Sequence, residues 1–592
     1  MPSACVKPGM RGGISRYLVS CVLLCLRCVD SKMKETFFRT LSWLHTWAGL
    51  LVCWVLLLIF FAGSLSYFRH EMSLWAEPEL HRGAFQDYQV DQIANQLEKG
   101  QSYIETHSAP TTQRWLINFP TERSPMLSFA WQLPPEKGQR RGKIEQHTAL
   151  ADGSGVITDV RDSRGGDFFY RLHFDLHYMS AITARYIVGV CTMFMLIALI
   201  SGIVIHKRIF KDLFSFRQNK GARSWLDAHN VSSVIALPYH LMITYTGLIT
   251  LMLMYIPWTV STAYPEDNQA FLKELNPARQ TEKASGIQAE QVRLSQLLPQ
   301  VQAEWGDAPI KQVIVSYPKD QNSQVTFYQN TGKEVTDESS ILVFNGVTGE
   351  LKYASPHEVS GTVATYDTMM SLHTARFAAP LLRILFFFCG LLGCAMVASG
   401  TLMWAIRLRQ KQQKAIDKGD KASRGLRLVE GLNFMFILGL PLGAAAFFYA
   451  NRLLPVDFAT RSAWEVHSFF IALAAMGVWA FFGRSRRHWQ LALIIIGVLY
   501  CALPVLNAFT SPSHFIDNIR SQQWALVGFD IVALLLGSAM LFASTRLSAV
   551  VKTQQKLSRK NTATAEKVRR KQPDPSYANE LASSSPLEEA KS

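Results

Sequence analysis

Residues 44–65, LHTWAGLLVCWVLLLIFFAGSL, and residues 228–249, AHNVSSVIALPYHLMITYTGLI, align without a gap when the first stretch is moved along the chain by 184 positions. The alignment matches His45 with His229 and Gly63 with Gly247. Both stretches are nearly free of charge and are long enough to cross a bilayer, which takes about 20 apolar residues. The sequence therefore predicts two related membrane helices, each with a histidine near one end.

The composition also indicates an integral membrane protein. Of the 592 residues, 49% are apolar and only 18% are charged. The net charge of +15 comes from Lys and Arg residues beside the apolar runs, where such residues set membrane topology. We therefore expect the lipid bilayer to surround the chain, and we exclude nucleic acid as a partner.

Eight stretches are long and apolar enough to span a membrane. They are residues 45–68, 182–205, 231–256, 383–406, 431–450, 465–483, 489–509 and 524–545. The linkers between the second and third and between the fourth and fifth are rich in Lys and Arg, which predicts that they are cytoplasmic. Both termini are then also cytoplasmic, and residues 69–176 and 257–372 lie outside, in the periplasm if the source is a Gram-negative bacterium.

The predicted fold class is a polytopic α-helical membrane protein with two extracytoplasmic α+β domains inserted in a duplicated helix-domain-helix unit. The predicted parts are a leader or mis-assigned start (1–32), a first repeat (33–206) with a periplasmic domain (69–176), a basic linker (207–228), a second repeat (229–406) with a periplasmic domain (257–372), a basic linker (407–429), a four-helix membrane domain (430–545) and a basic, disordered tail (546–592).

The two periplasmic segments alternate apolar and polar residues between Gly, Asn and Asp turns, which is typical of short strands. In the second, we predict a helix over Ile287–Glu304 followed by a small sheet. In the first, we predict a helix over 90–102 and strands that include GSGVITDVR at 153–161.

A second internal match supports the duplication. An offset of 198 aligns Arg185 with Arg383, and Ser201-Gly202 with Ser399-Gly400. Histidines precede the aligned segment in both copies: His173 and His177 in the first, and His373 in the second. At this offset neither His173 nor His177 aligns with His373, and each is displaced from it by two residues.

The repeat places histidines at both ends of the bundle. Ionisable side chains at membrane depth are costly and usually serve function, and neutral imidazoles that face each other are suitable axial ligands of b-type haem. Two facing pairs would hold two haems. Two alternatives stay open: His177 in place of His173, which is four residues away, and His240 in place of His229, which is about three helical turns away.

Other polar residues are weaker candidates. Arg185 and Arg383 could bind haem propionates or an anionic substrate, although snorkelling to the interface explains them equally well. Glu465, His467 and Asp530 could belong to a proton or quinone path, but polar contacts within the helical bundle are the favoured interpretation. We interpret His206 as interfacial, and place His70, His81, His107, His147 and His357 at the surface. No CxxCH motif for covalent haem and no GxGxxG or P-loop motif for a nucleotide occurs.

Several motifs in residues 33–410 resemble the bacterial PepSY-associated transmembrane helix proteins. They are WLHTWAGL in the first span, RLHFDLH and SGIVIHKRIFKD around the second, RSWLDAHNVSSVIALPYHLMITYTGL into the third, SLHTARF and ASGTLMW around the fourth, and FNGVTGELKYAS in the second outer segment. The last four spans lie outside the resemblance and inherit nothing from it.

The resemblance implies a function. The family includes inner-membrane ferric-siderophore reductases with two b-type haems, whose histidines match His45, His173, His229 and His373. This implies a ferric siderophore or ferric chelate as substrate and an unidentified electron donor, either a quinol or a cytoplasmic reductase. An iron or siderophore transporter and a PepSY regulatory protein without redox activity are the alternatives.

Overall fold

The computed structural model of the chain describes residues 13–82, 90–136, 142–150, 155–206, 209, 217, 221–265, 282–330, 340–356 and 361–569. The start of the predicted leader, the end of the predicted tail, most of the first basic linker and His357 lie outside these residues.

Helices make up most of the described chain. They are α1 (Gly13–Ser66), α2 (Arg69–Ala76), α3 (Ile93–His107), α4 (Gly165–Asp175), α5 (Ala181–Ile205), α6 (Ala222–Ile235), α7 (Leu237–Thr250), α8 (Met252–Tyr255), α9 (Pro257–Ala263), α10 (Leu298–Trp305), α11 (Gly361–Thr374), α12 (Pro380–Asp417), α13 (Arg424–Leu453), α14 (Arg461–Phe482), α15 (Arg486–Thr510), α16 (Phe515–Arg520) and α17 (Trp524–Arg569).

Seven of the described helices are long and apolar enough to cross a membrane, and α6 with α7 would make an eighth crossing if the bent pair forms one span. The predicted span over 231–256 is a bent pair of helices rather than one continuous helix, because the chain turns by 69° between Ile235 and Leu237. Pro238 explains the break, since proline lacks an N–H and disfavours helical geometry in the residue before it. The break places the second half of this span at an angle to the first.

Two bundles lie side by side. The first contains α1, α5, α6, α7 and α12, with α4 packed on α1 and α11 packed on α7. The second contains α13, α14, α15 and α17. A hydrogen bond from Trp54 Nε1 on α1 to Asn433 Oδ1 on α13, 3.0 Å long, joins the two bundles.

The two polar segments form one sheet. Its strands are β1 (Arg114–Asn118), β2 (Ser128–Gln132), β3 (Ile144–Ala149), β4 (Val156–Ile157), β5 (Ile310–Ser316), β6 (Gln324–Gln329), β7 (Ile341–Asn345) and β8 (Leu351–Ala354), in the order β4-β3-β2-β1-β5-β6-β7-β8. Each strand is antiparallel to its neighbours.

The junction of the sheet corrects the prediction of two separate domains. β1 pairs with β5 along its whole length, from Arg114 opposite Ser316 to Asn118 opposite Gln312. An edge strand exposes unpaired N–H and C=O groups, so two sheets that each end in such an edge are satisfied when the edges pair. One hydrophobic core underlies both halves.

Other boundaries differ from the predictions. The helix expected from Ile287 begins only at Leu294, as a single 3₁₀ turn before α10, because Gln288 bridges to Asp320 in extended form. Of the strand expected at 153–161, only residues 155–161 are described, and among them only β4 is a strand. Helix α1 includes residues 13–32 of the predicted leader, and α17 continues to Arg569, into the predicted disordered tail.

Candidate functional site

Two histidines face each other at the end of the first bundle away from the sheet. His45 on α1 and His229 on α6 have ring centroids 6.3 Å apart, with ring planes at 75°. We call them the far-side pair.

Two more histidines face each other at the other end of the bundle, beneath the sheet. His173 near the end of α4 and His373 near the end of α11 have ring centroids 6.0 Å apart, with ring planes at 35°. We call them the sheet-side pair. Gly63 is against His173 and lies 18 residues beyond His45 on α1, so the two pairs are about 27 Å apart along that helix at 1.5 Å per residue. This separation is close to the thickness of a hydrocarbon core, about 30 Å.

The protein backbone orients both imidazoles of the far-side pair. His45 Nδ1 is 2.8 Å from the carbonyl oxygen of Ala198, and His229 Nδ1 is 2.8 Å from that of Met396. A carbonyl only accepts, so each Nδ1 carries the proton and donates it. The lone pair of each imidazole is then on Nε2, which is the arrangement of a metal-binding histidine whose other nitrogen is held by the protein.

The sheet-side pair is oriented in the same way. His173 Nδ1 donates to the carbonyl of Ile59 at 2.9 Å. His373 Nδ1 is 3.1 Å from Thr246 Oγ1, and this hydroxyl gives its own hydrogen to the carbonyl of Met242 at 2.7 Å. The hydroxyl oxygen therefore accepts from His373, and Nε2 is again the lone-pair nitrogen.

A glycine lies against each of the four imidazoles. A Cβ at Gly63 would be 2.7 Å from His173 Nδ1, and one at Gly247 would be 3.0 Å from His373 Cε1. In the far-side pair, the corresponding distances to Cε1 are 3.1 Å from Gly202 to His45 and 3.3 Å from Gly400 to His229. The internal repeat aligns these same glycines, Gly63 with Gly247 and Gly202 with Gly400. The sequence therefore contained a signal for the positions beside the imidazoles, which the sequence analysis did not use.

The ring separations suit a metal held between two imidazoles. Two metal–nitrogen bonds of about 2 Å, plus roughly 1 Å from each nitrogen to its ring centre, put opposed centroids about 6 Å apart. Both pairs have this spacing. Among the described residues no group of three or more His, Cys, Asp or Glu side chains gathers at a metal-binding distance. A metal ion held at either pair would have two imidazole ligands, and the bis-imidazole set is one that haem iron accepts.

The two open alternatives occupy other places. His240 is fully buried and packs edge-on against Phe60, with its Nε2 3.4 Å from the carbonyl of Cys389 rather than opposite His45. His177 has a left-handed backbone, φ 57°, and its ring stacks on Phe470 at 5.5 Å. Neither faces another histidine.

The two candidate arginines have protein partners near the sheet-side pair. Arg185 binds Asp175 at 2.9 Å. Arg383 is 5% exposed and binds Glu71 at 2.5 Å. Each guanidinium is therefore already neutralised by a carboxylate, which makes it less available to an anionic group than the sequence suggested.

The polar residues of the last four spans form a cluster beneath the sheet. Glu465 binds Arg461 at 2.5 Å, Asn451 at 2.8 Å and Ser163 at 2.9 Å. Asp530 accepts from Trp75 Nε1 at 3.3 Å. The predicted role as polar contacts in the bundle fits this geometry. His467 instead makes a short hydrogen bond with the hydroxyl of Tyr178 near the surface.

Sequence reasoning missed the contacts of two further residues, His81 and Arg123. His81, predicted at the surface, is 3% exposed and contacts the carbonyl of Leu74, and burial lowers its pKa to about 4. Arg123, in the loop after β1, donates to the carbonyls of Ala375 and Arg376 just beyond His373. A single arginine in a polar loop carries no sequence signal for such a contact.

Comparison with known proteins identifies the family. Residues 42–407 match the model of the PepSY-associated transmembrane region. The chain belongs to the PepSY-associated transmembrane family. All four facing histidines lie inside the family region, whereas α13–α17 lie beyond it.

One relative aligns over most of its own length. The chain is 22% identical, over 386 residues, to a Pseudomonas aeruginosa protein described as uncharacterized protein PA4219. The match covers 63% of this chain and 93% of that relative. The relative's description names no activity, so the function has to be argued from the histidine pairs.

Proposed function

We propose that this family member is a di-haem b oxidoreductase that passes electrons across a bacterial inner membrane and reduces ferric iron, held by a siderophore or another chelate, on the periplasmic side. His45 and His229 would hold one haem, and His173 and His373 the other. The observation that carries the proposal is the presence of two facing imidazole pairs at the two ends of one apolar bundle.

The residues around the pairs fit this cofactor. Each Nδ1 is held by the protein, so each Nε2 keeps its lone pair for a ligand, as axial ligation requires. A glycine beside each imidazole keeps the space next to the ring free of a side chain. Bound haem supplies one-electron transfer, which needs no further catalytic group from the chain.

The positions of the pairs support a path across the membrane. With the sheet in the periplasm, as the basic linkers suggest, the far-side pair is near the cytoplasmic face and the sheet-side pair is near the periplasmic face. A quinol would give up two electrons and two protons and become a quinone. Two ferric ions would take up one electron each. Fe(II) binds hard oxygen donors less tightly than Fe(III), so the chelate would release its iron.

An optical spectrum of the purified full-length protein, before and after dithionite, tests the cofactor. We expect a low-spin b-type spectrum and two haems per chain. A preparation with no haem absorption would overturn the proposal and favour a transporter or a regulatory membrane protein.

A second measurement tests the substrate. We expect the dithionite-reduced protein, freed of excess reductant, to be reoxidised by a ferric chelate but not by the matching Ga(III) chelate, which has a similar charge and cannot accept an electron. Haem that remains reduced in the presence of several ferric chelates would contradict ferric reduction while leaving the cofactor assignment intact.

A further inference from the structure

We infer that Arg123, a residue of the sheet, positions His373 of the sheet-side pair, an inference that rests on the proposed function. Arg123 lies in the loop between β1 and β2, and His373 is near the end of α11. The arginine contacts the backbone of the turn that follows α11, and the imidazole lies two residues before that turn. Arg123 is therefore a positioning residue, through which the sheet fixes one ligand of the haem.

The Arg123 guanidinium gathers three carbonyls of this one turn. Its Nη2 donates to the carbonyl of Ala375 and, at 2.7 Å, to that of Arg376. The same nitrogen lies 3.5 Å from the carbonyl oxygen of Ala378. These groups follow the C-terminus of α11, where the helix dipole also favours a positive charge. The contact thus joins a cation of the sheet to the end of a helix of the bundle.

The turn needs to be held, because the backbone of Ala375 has an unfavourable conformation. Its φ is 53°, in the left-handed region that residues other than glycine rarely adopt. Helices often end on a residue in this conformation, but that residue is usually glycine. Such strain persists only where the surroundings hold it. Here the surroundings include Arg123 and the N–H of Ala378, which donates to the Ala375 carbonyl at 3.1 Å.

A relaxed turn would move the imidazole, because His373 is only two residues before Ala375. The ring is also confined from the side of α7. Its Nδ1 is 3.1 Å from Thr246 Oγ1, and a Cβ at Gly247 would be 3.0 Å from its Cε1. A shift at the end of α11 would therefore change the angle of the ring against α7, and the orientation of an axial ligand tunes the metal it holds.

The other ligand of this pair is held differently. Helix α4 also ends before a left-handed residue, Leu176 with φ 52°, which comes three residues after His173. The carboxylate of Asp175, at the end of α4, binds Arg185 of α5 at 2.9 Å. The bundle itself therefore secures the helix end beside His173, whereas the sheet contributes to securing the one beside His373.

The loop between β1 and β2 is itself fixed, so it can hold Arg123 in place. The N–H of Phe119 donates to a carbonyl of β5 at 3.0 Å. The N–H of Thr121 donates to the carbonyl of Ser124 at 2.9 Å, and the N–H of Ser124 donates to Thr121 Oγ1 at 3.1 Å. Met126 packs against the hydrophobic core of the bundles. The loop is thus attached to the sheet at one end and to the bundle at the other.

The test uses electron paramagnetic resonance of the oxidised, purified full-length protein, in which the signal lost in His173→Ala identifies the sheet-side haem. We expect Arg123→Ala to shift this signal and to release the sheet-side haem to apomyoglobin about tenfold faster. Arg123→Lys should give an intermediate result, because an ammonium lacks the planar fork of the guanidinium. The control is Arg114→Ala, at the exposed start of the same strand β1, which should leave the signal unchanged.

A double variant tests the route through the turn. Glycine adopts a positive φ without strain, so Ala375→Gly combined with Arg123→Ala should bring the signal back towards that of the wild type. A double variant as shifted as Arg123→Ala would overturn the inference. So would an Arg123→Ala or Arg123→Lys protein that is less stable but has an unchanged sheet-side signal, since that is the result of a purely structural contact. Absence of haem from the wild type would overturn the proposed function as well.

Discussion

The four facing histidines of the first bundle and the Glu465 cluster of the second bundle are both polar groups in an apolar setting, but their hydrogen bonding is opposite. In the first bundle, the Nε2 atoms of the four facing histidines make no hydrogen bond to a described residue. In the second bundle, the carboxylate of Glu465 receives bonds from Arg461, Asn451 and Ser163. The facing histidines thus keep nitrogen lone pairs without a partner among the described residues, whereas the Glu465 carboxylate is already paired.

This difference in hydrogen bonding distinguishes a candidate binding site from a structural contact. A buried ion pair stabilises little on balance, but losing one partner leaves a charge uncompensated, so such a pair is a structural requirement once it exists. The facing imidazoles are each held through Nδ1 by the protein and do not hydrogen-bond each other, so the fold does not require the two rings to face. The comparison therefore supports the proposal that the family region binds the cofactor and that the last four spans have a supporting role.

The largest effect should come from removing one histidine of a pair. His45→Ala and His173→Ala should each lose about half of the haem in the purified protein, because one imidazole alone leaves an axial position empty, and electron transfer across the membrane should fall to background. Haem-to-protein ratio and reduction of an external ferric chelate measure this. His177→Ala is the control and should retain both haems, and a full haem content in His45→Ala would refute the pairing.

Removing the Glu465 carboxylate from the second bundle should cause a large loss of stability without changing the haem spectrum. Glu465→Ala leaves the Arg461 guanidinium, which is 1% exposed, without its carboxylate, and should cost about 3–5 kcal/mol. Glu430→Ala removes the partner of Arg409, which is 48% exposed, and should cost about 0–1 kcal/mol. Thermal unfolding of both variants gives the difference, and a changed haem spectrum in Glu465→Ala would mean that the cluster belongs to the electron path.

Hydropathy and the internal repeat could predict much of this architecture. The apolar runs correspond to the long helices because only a helix satisfies the backbone within such a run in lipid. The repeat identified His45 and His229 because an ungapped match places them at the same position in related helices. The family itself is confirmed by the match over residues 42–407.

The pairing of the histidines could not be predicted from the sequence. It depends on helix rotation and on the 69° turn before Pro238, which determines where His240 and Gly247 lie relative to α12. The single sheet was also missed, since strands β1 and β5 are almost 200 residues apart in the chain and alternation within a strand does not identify its neighbour.

A smaller, graded effect should follow from adding a methyl group beside the imidazoles. Gly63→Ala would place Cβ 2.7 Å from His173 Nδ1, whereas Gly400→Ala would place it 3.3 Å from His229. We expect Gly63→Ala to shift the electron paramagnetic resonance signal of the sheet-side haem clearly, and Gly400→Ala to shift that of the far-side haem less. Gly49→Ala on α1, with nothing within 4 Å, is the control. Equal shifts in all three would mean that the glycines do not position the rings.

The smallest effect should be a pH dependence confined to the sheet, away from both bundles. Burial by itself would raise the pKa of Asp320, but hydrogen bonds from the backbone of Ser285, Asn322 and Gly286 outweigh it and lower this pKa from 3.8 to about 2. The carboxylate therefore stabilises the fold fully above pH 4, and this contribution is lost as the pH falls towards 2. Thermal unfolding of wild type and Asp320→Asn at several pH values should show a stability difference that is constant above pH 4 and shrinks below it. A difference that stays constant down to pH 2 would show that the bonds to the Asp320 carboxylate do not hold the loop.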